Sequence, residues 1–141
     1  MAERLKIYFI HSTKYDYNEL IYKPVLLSNI CVMQDLILPL TDSYKNKYAK
    51  DLINSSDIII AEVSKFSFGI KIELKWALES GKPILFYSLT NKVPLFLRKY
   101  VNNLAKTDET NSSINLIENF INDNIKKMEE EENKTVVLGE I

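Results

Sequence analysis

Asp57-Ile-Ile-Ile-Ala-Glu-Val-Ser-Lys-Phe-Ser-Phe-Gly-Ile-Lys-Ile-Glu-Leu74 reads as three pieces of structure in succession. Asp57 to Val63 is a short apolar run with three consecutive isoleucines. A run of that length without polar alternation suits a strand covered on both faces. Ser64 to Gly69 supplies hydroxyls and a flexible backbone position. Ile70, Leu74, Ala77 and Leu78 then recur at helical spacing, so an amphipathic helix runs to Ser80. Gly81 ends it, and Lys82-Pro83-Ile84-Leu85-Phe86-Tyr87 opens the next strand. In open parallel sheets ligands bind at the carboxyl ends of the strands, which places Ser64 to Gly69 at that edge.

The two glutamates of this helix differ in their neighbours. Glu79 has Lys75 four residues before it and Lys82 three after, the arrangement of an exposed ion pair. Glu73 has Gly69, Ile70, Trp76 and Ala77 at those offsets and no cation. It is either a first-turn carboxylate favoured by the helix dipole or a catalytic carboxylate facing a pocket.

The flanking sequence continues the alternation. Upstream, Leu5 to Ile10 is a strand and His11-Ser12-Thr13-Lys14 a polar turn. A helix follows from Tyr17 to Asn29, which Pro24 must start, kink or break. Cys31 to Leu38 reads as a second strand, Pro39 to Asp42 as a loop and Ser43 to Ser55 as a second helix. Downstream come a strand from Ile84 to Ser88, a short helix opened by Pro94 and a weak strand around Leu104. A last helix begins at Thr110 or Asn111, with Ile114, Ile117, Phe120, Ile121 and Ile125 on one face. Its acidic end, Glu129 to Glu132, is a solvated extension. Residues 1–132 are expected to form one domain and 133–141 a C-terminal tail, frayed at Thr135 to Leu138.

The expected fold is a flavodoxin-like or Rossmann-like α/β three-layer sandwich with a five-stranded parallel sheet of order 2-1-3-4-5. That order sets His11 to Lys14 beside Ser64 to Gly69 across a switch point, so the two loops form one pocket.

Composition narrows the function classes. The chain has 141 residues, 46% hydrophobic and 26% charged, with a formal net charge of −1, which gives no support for nucleic-acid binding. No apolar run is long enough for a bilayer and no signal peptide is visible, so a cytoplasmic location without membrane association is expected. One cysteine and one histidine exclude an internal disulfide and any metal site built from clusters of either. Cys31 reads as a packed apolar residue.

The pocket would gather Tyr8, His11, Ser12, Thr13, Lys14, Ser64, Ser67, the backbone around Gly69, and Glu73. Hydroxyls, a cation, free amides and a helix N-terminus suit a phosphate or another anion. The chain carries no P-loop, no Gly-x-Gly-x-x-Gly and no nucleophile elbow. What remains is a carboxylate beside an anion site. That combination suits a sugar carbon that turns cationic as its glycosidic bond breaks.

These residues carry a resemblance. Ser56-Asp57-Ile-Ile-Ile-Ala-Glu-Val-Ser64, then Ser67-Phe-Gly-Ile-Lys-Ile-Glu-Leu74, then Gly81-Lys-Pro-Ile-Leu85, resemble the nucleoside 2-deoxyribosyltransferase family. Within it they are most similar to the 2'-deoxynucleoside 5'-phosphate N-hydrolase branch. The opening Lys6-Ile-Tyr-Phe-Ile-His-Ser-Thr-Lys14 is similar to that family's first strand and phosphate loop. The resemblance implies that Glu73 attacks the anomeric carbon, that Ser12, Lys14, Ser67 and the amide near Gly69 hold a 5'-phosphate or sugar hydroxyls, and that Tyr8 lies against base or sugar. His11 joins them as a substrate-binding candidate, in place of the family's usual glycine. The resemblance further implies a nucleoside or nucleotide ligand, a homodimer or larger homo-oligomer, and no cofactor or metal.

Two departures stand out. Lys14 replaces the usual arginine and loses its bidentate geometry. The aspartate that often lies eight positions before Asp57 and protonates the leaving base is Ala49 here, and Asp51 is turned away from that position on a helix. The first loop, the Ser56-Asp57 pair and the glutamate helix are also similar to bacterial TIR domains, some of which cleave NAD. Nicotinamide is already cationic and leaves without a proton. A third possibility is a nucleotide-binding module without catalysis.

Overall fold

The computed structural model describes residues 4–139, with side chains to residue 134. Its sheet contains β1 (Lys6–Ile10), β2 (Asp35–Ile37), β3 (Ile58–Glu62), β4 (Ile84–Tyr87) and β5 (Leu104–Ala105), in the order β2-β1-β3-β4-β5. Every pairing is parallel, as the alternating sequence pattern requires.

β3 is central and all five of its residues are buried. Its side chains alternate between two cores, the period-two geometry of a strand. Ile58 and Ile60 join Ile7 and Phe9 of β1 on one face, against Ile21, Tyr22, Val25, Ile117 and Ile121. Ile59 and Ala61 join Tyr8 and Ile10 on the other, against Leu52, Ile53, Ile70, Leu74 and Ala77. The first cover comes from α1 (Lys23–Leu26), the turn before it, and α5 (Ser113–Gly139); the second from α3 (Ala49–Ser55) and α4 (Phe68–Ser80). Three layers result, and the unbroken isoleucine run is explained because neither face of β3 meets water.

The ends of α4 follow from its sequence. Ser67 caps it, its Oγ accepting the Ile70 N–H at 3.2 Å. Gly81 closes it at φ 71°, a left-handed position that costs glycine little.

Other elements differ from expectation. Cys31, Val32 and Met33 are helical, in α2 (Ile30–Met33), and the second strand is only Asp35–Ile37. The Arg4 guanidinium holds this junction, donating to Val32 O at 2.8 Å, Gln34 O at 3.3 Å and Asp35 Oδ1 at 3.0 Å. It thereby satisfies carbonyls exposed where the helical turn ends. Residues 43–48 form turns rather than helix, and Tyr48 is extended before α3 begins. The helix expected over Tyr17 to Asn29 opens as a wide π turn, Asn18–Tyr22, in which Lys23 N–H reaches back to Asn18 O. Pro24 follows in the first turn of α1, where its missing N–H costs least. α5 starts at Ser113, and its helical backbone passes residue 132 and runs to Gly139. Among the described residues no helix is long and apolar enough to cross a membrane.

Candidate active site at the carboxyl edge of the sheet

Two adjacent strands and one helix bring Glu73 and Tyr8 together. Tyr8 points to the α4 face of β1 because Tyr8 and Ile10 alternate with Ile7 and Phe9. Glu73 lies in the second turn of α4, between the buried Ile70 and Ala77, so its side chain starts beside the core. The Tyr8 hydroxyl donates to Glu73 Oε1. No cation pairs with Glu73 among the described residues. Burial pushes its carboxyl up to about 7, and the Tyr8 hydrogen bond acts in the opposite direction. Burial, followed by the charge and hydrogen bond of Glu73, pushes the Tyr8 phenol well above its ordinary range. The half-buried position of Glu73 therefore favours its protonated form more than free solution does.

A second carboxylate lies nearby at the end of β3, and sequence reasoning passed over it. Glu62 is 1% exposed. Its oxygens accept the Tyr15 hydroxyl at 2.7 Å, the Ser64 hydroxyl at 2.8 Å, the Ser64 N–H at 3.2 Å and the Leu89 N–H at 2.7 Å. It ties the ends of β3 and β4 to the first loop. The signal was available: a glutamate inside a strand covered on both faces needs several donors. The two acids are thus distinct. Glu62 is engaged by four donors, whereas half-buried Glu73 has Tyr8 as its hydrogen-bond partner among the described residues.

The first loop is built on His11, which is 5% exposed. Ser12 O can only accept, so the 2.9 Å contact places the proton on His11 Nδ1. His11 Nε2 then accepts the Tyr22 hydroxyl at 2.6 Å, and Tyr22 Oη in turn accepts the Leu40 N–H at 3.3 Å. Tyr17 stacks on the imidazole at 4.8 Å between ring centroids. Burial holds the His11 pKa below its ordinary value, against the smaller opposing effect of its bond to Ser12. His11 is thus a neutral prop beneath the loop, with both nitrogens engaged.

The other sequence-derived candidates sit as follows. Ser12 is fully buried, and its Oγ accepts the Lys14 N–H at 3.1 Å. The Lys14 side chain is exposed. Ser67 is half-buried and acts as the α4 cap. Gly69 is exposed in the first turn of α4, and a Cβ built there would meet nothing nearer than Ser67 Oγ at 4.0 Å. Helix geometry leaves the N–H groups of Phe68 and Gly69 without acceptors inside the helix, a ready anion contact. Ala49 is half-buried and Asp51 exposed. No group of three or more His, Cys, Asp or Glu gathers as a metal site among the described residues.

No protein-family model matches the chain, and no curated protein sequence matches it. Among solved structures, the Clostridium botulinum CMP N-glycosidase BcmB superposes with a TM-score of 0.51 at 19% sequence identity. The match covers 75% of this chain and 92% of that one. At this identity the likeness establishes the shared α/β fold.

Proposed function

We propose that this chain cleaves the N-glycosidic bond of a nucleoside 5'-phosphate, with Glu73 as the nucleophile. The observation that carries this reading is the Glu73 carboxylate itself, half-buried, with no cation paired to it among the described residues and held by Tyr8 of β1. A desolvated anion gains most from a neighbour that becomes positive only in the transition state, as a ribosyl C1' does when its base departs. The sequence resemblance to the deoxyribosyltransferase family supports the same chemistry. The fold likeness to an N-glycosidase acting on CMP supports a nucleotide substrate.

Glu73 attacks C1', the C1'–N bond breaks with its electron pair leaving on the base, and a glycosyl ester of Glu73 forms. Water then displaces the carboxylate; an acceptor base in its place would give transfer. Tyr8 fixes the attacking carboxylate through one oxygen and leaves the other free. Lys14, the α4 N-terminal amides around Gly69 and the Ser67 hydroxyl form the phosphate side of the site, and buried Ser12 shapes the first loop by accepting the Lys14 N–H. His11 supports that loop from beneath. Exposed Phe68 and Phe96, with ring centroids 5.4 and 5.5 Å from that of Phe66, form the face for a second copy in a homodimer.

One observation favours a second reading. Half-buried Ala49 offers no proton to a departing base, and NAD, whose nicotinamide leaves without one, is the substrate that tolerates this best. The test is incubation with CMP, other ribo- and deoxyribonucleoside 5'-monophosphates, the free nucleosides and NAD, followed by chromatography of released base. Base from a monophosphate supports the first reading, and nicotinamide from NAD the second. Release from none of them overturns both.

A further inference from the structure

A cleft of about 530 Å³ opens along the outer edge of β2, and neither Glu73 nor Tyr8 is among the residues that line it. Its volume lies within the range of small-molecule sites, roughly 300–1,000 Å³. Three features of its wall are complementary to one kind of ligand. The first is charge. Lys6 and Lys47 both line it, and neither pairs with a carboxylate among the described residues, whereas Arg4 and Asp35 neutralise each other at 2.9 Å. The second is an apolar part of the wall made by Tyr44, Ile37 and Leu52, with the Lys47 ammonium 5.6 Å from the centroid of the Tyr44 ring.

The third is backbone. β2 pairs only with β1, so its other side is a sheet edge. Asp35 N–H donates to Leu5 O at 2.9 Å, which turns residue 35 toward β1. By strand alternation Leu36, which lines the cleft, directs its N–H and C=O outward. A donor and an acceptor on one residue of a sheet edge match the adjacent acceptor and donor on the rim of a nucleobase.

We propose that this cleft is a second ligand site, which takes a nucleoside monophosphate with its base on the Leu36 backbone, its ring system against Ile37 and Leu52, and its phosphate between Lys6 and Lys47. The inference does not depend on the Glu73 reading, since the two sites lie at different parts of the sheet.

Amide NMR spectra separate the sites directly in a chain of 141 residues. Wild-type and Glu73→Gln protein are each titrated with AMP, CMP, GMP and UMP, and separately with inorganic phosphate and with adenosine, with the nucleotide checked as intact after each titration. At least one monophosphate is expected to move the Leu36 and Cys31 amides saturably, and more strongly than either fragment. In a Lys6→Ala/Lys47→Ala variant that binding is expected to weaken at least about tenfold, the loss of about 1.4 kcal/mol of charged contact. Shifts confined to Ser12 and Ser67 would support the crevice and overturn the second site. Shifts at Leu36 without any at Ser12 or Ser67 would do the reverse. Undiminished binding in the double-lysine variant, or equal effects from phosphate alone, would also overturn the proposal.

Discussion

Replacing Glu73 by Gln is expected to stabilise the protein in alkaline solution. Gln keeps the size of Glu and an oxygen to accept the Tyr8 hydroxyl, but has no charge to desolvate. Burial raises the Glu73 carboxyl from 4.5 to about 7. Between those values the folded protein holds a proton that the unfolded chain has released. Stability from this group is therefore full at low pH and lost as pH rises through 7. At about 1.4 kcal/mol for each tenfold difference in proton affinity, the loss is about 3 kcal/mol above pH 8. For a chain of this size that corresponds to roughly 10 °C in melting temperature. The assay is urea and thermal unfolding of both proteins from pH 4 to pH 9, read as the difference so that all other titrations cancel. Curves that coincide at pH 4 and separate by that amount at pH 9 support the burial argument. A constant difference across the range would show Glu73 to be an ordinary solvated carboxylate, and the reasoning from desolvation would be refuted.

Further outcomes follow from the same geometry. If base release requires ionised Glu73, its kcat/KM should rise with pH along a limb near 7 and then level; a profile that falls through 7 would make Glu73 a proton donor instead. His11→Phe keeps the ring packing but strands the Tyr22 hydroxyl, and should cost about 1–3 kcal/mol in urea unfolding at pH 8. Because burial lowers the His11 pKa, the wild-type fold binds fewer protons there than the unfolded chain below about pH 6.5. The deficit of the variant should therefore shrink as pH falls toward 5. Glu62→Gln sets an amide NH2 against donors and should cost about 2–3 kcal/mol, measured by the same unfolding assay.

The central β-loop-α-β unit was legible because its signals are local. An apolar run, a small-residue loop and a glycine stop lie within 25 residues (Asp57 to Gly81), and the sheet order followed from the alternation. The β2 region was not. Cys31 to Leu38 is apolar enough for a strand, but Arg4, about 30 residues away in sequence, stabilises a helical turn there by bonding its last carbonyls. Periodicity within a window cannot register that contact. Residues 43–48 misled similarly, since a tyrosine-rich segment has helical spacing whether or not a partner face exists. At the site, the missing cation around Glu73 was visible from its sequence neighbours, while Tyr8, 65 positions earlier, met it only through the strand order. Glu62 went unnoticed because its four donors come from three separate loops. His11 was read as lining the first turn and as a substrate-binding candidate; its burial beneath the loop depends on Tyr17 and Tyr22 packing against it.

The most direct measurement is single-turnover base release by wild-type and Glu73→Gln protein at pH 8, using whichever nucleotide the wild type cleaves. At that pH the variant is expected to be the more stable of the two, so lost activity cannot be ascribed to unfolding. The expected result is base release by the wild type and a fall of at least about a thousandfold in the folded variant, about 4 kcal/mol of transition-state stabilisation. Release by Glu73→Gln at the wild-type rate would show that the chemistry, if any, belongs to another group.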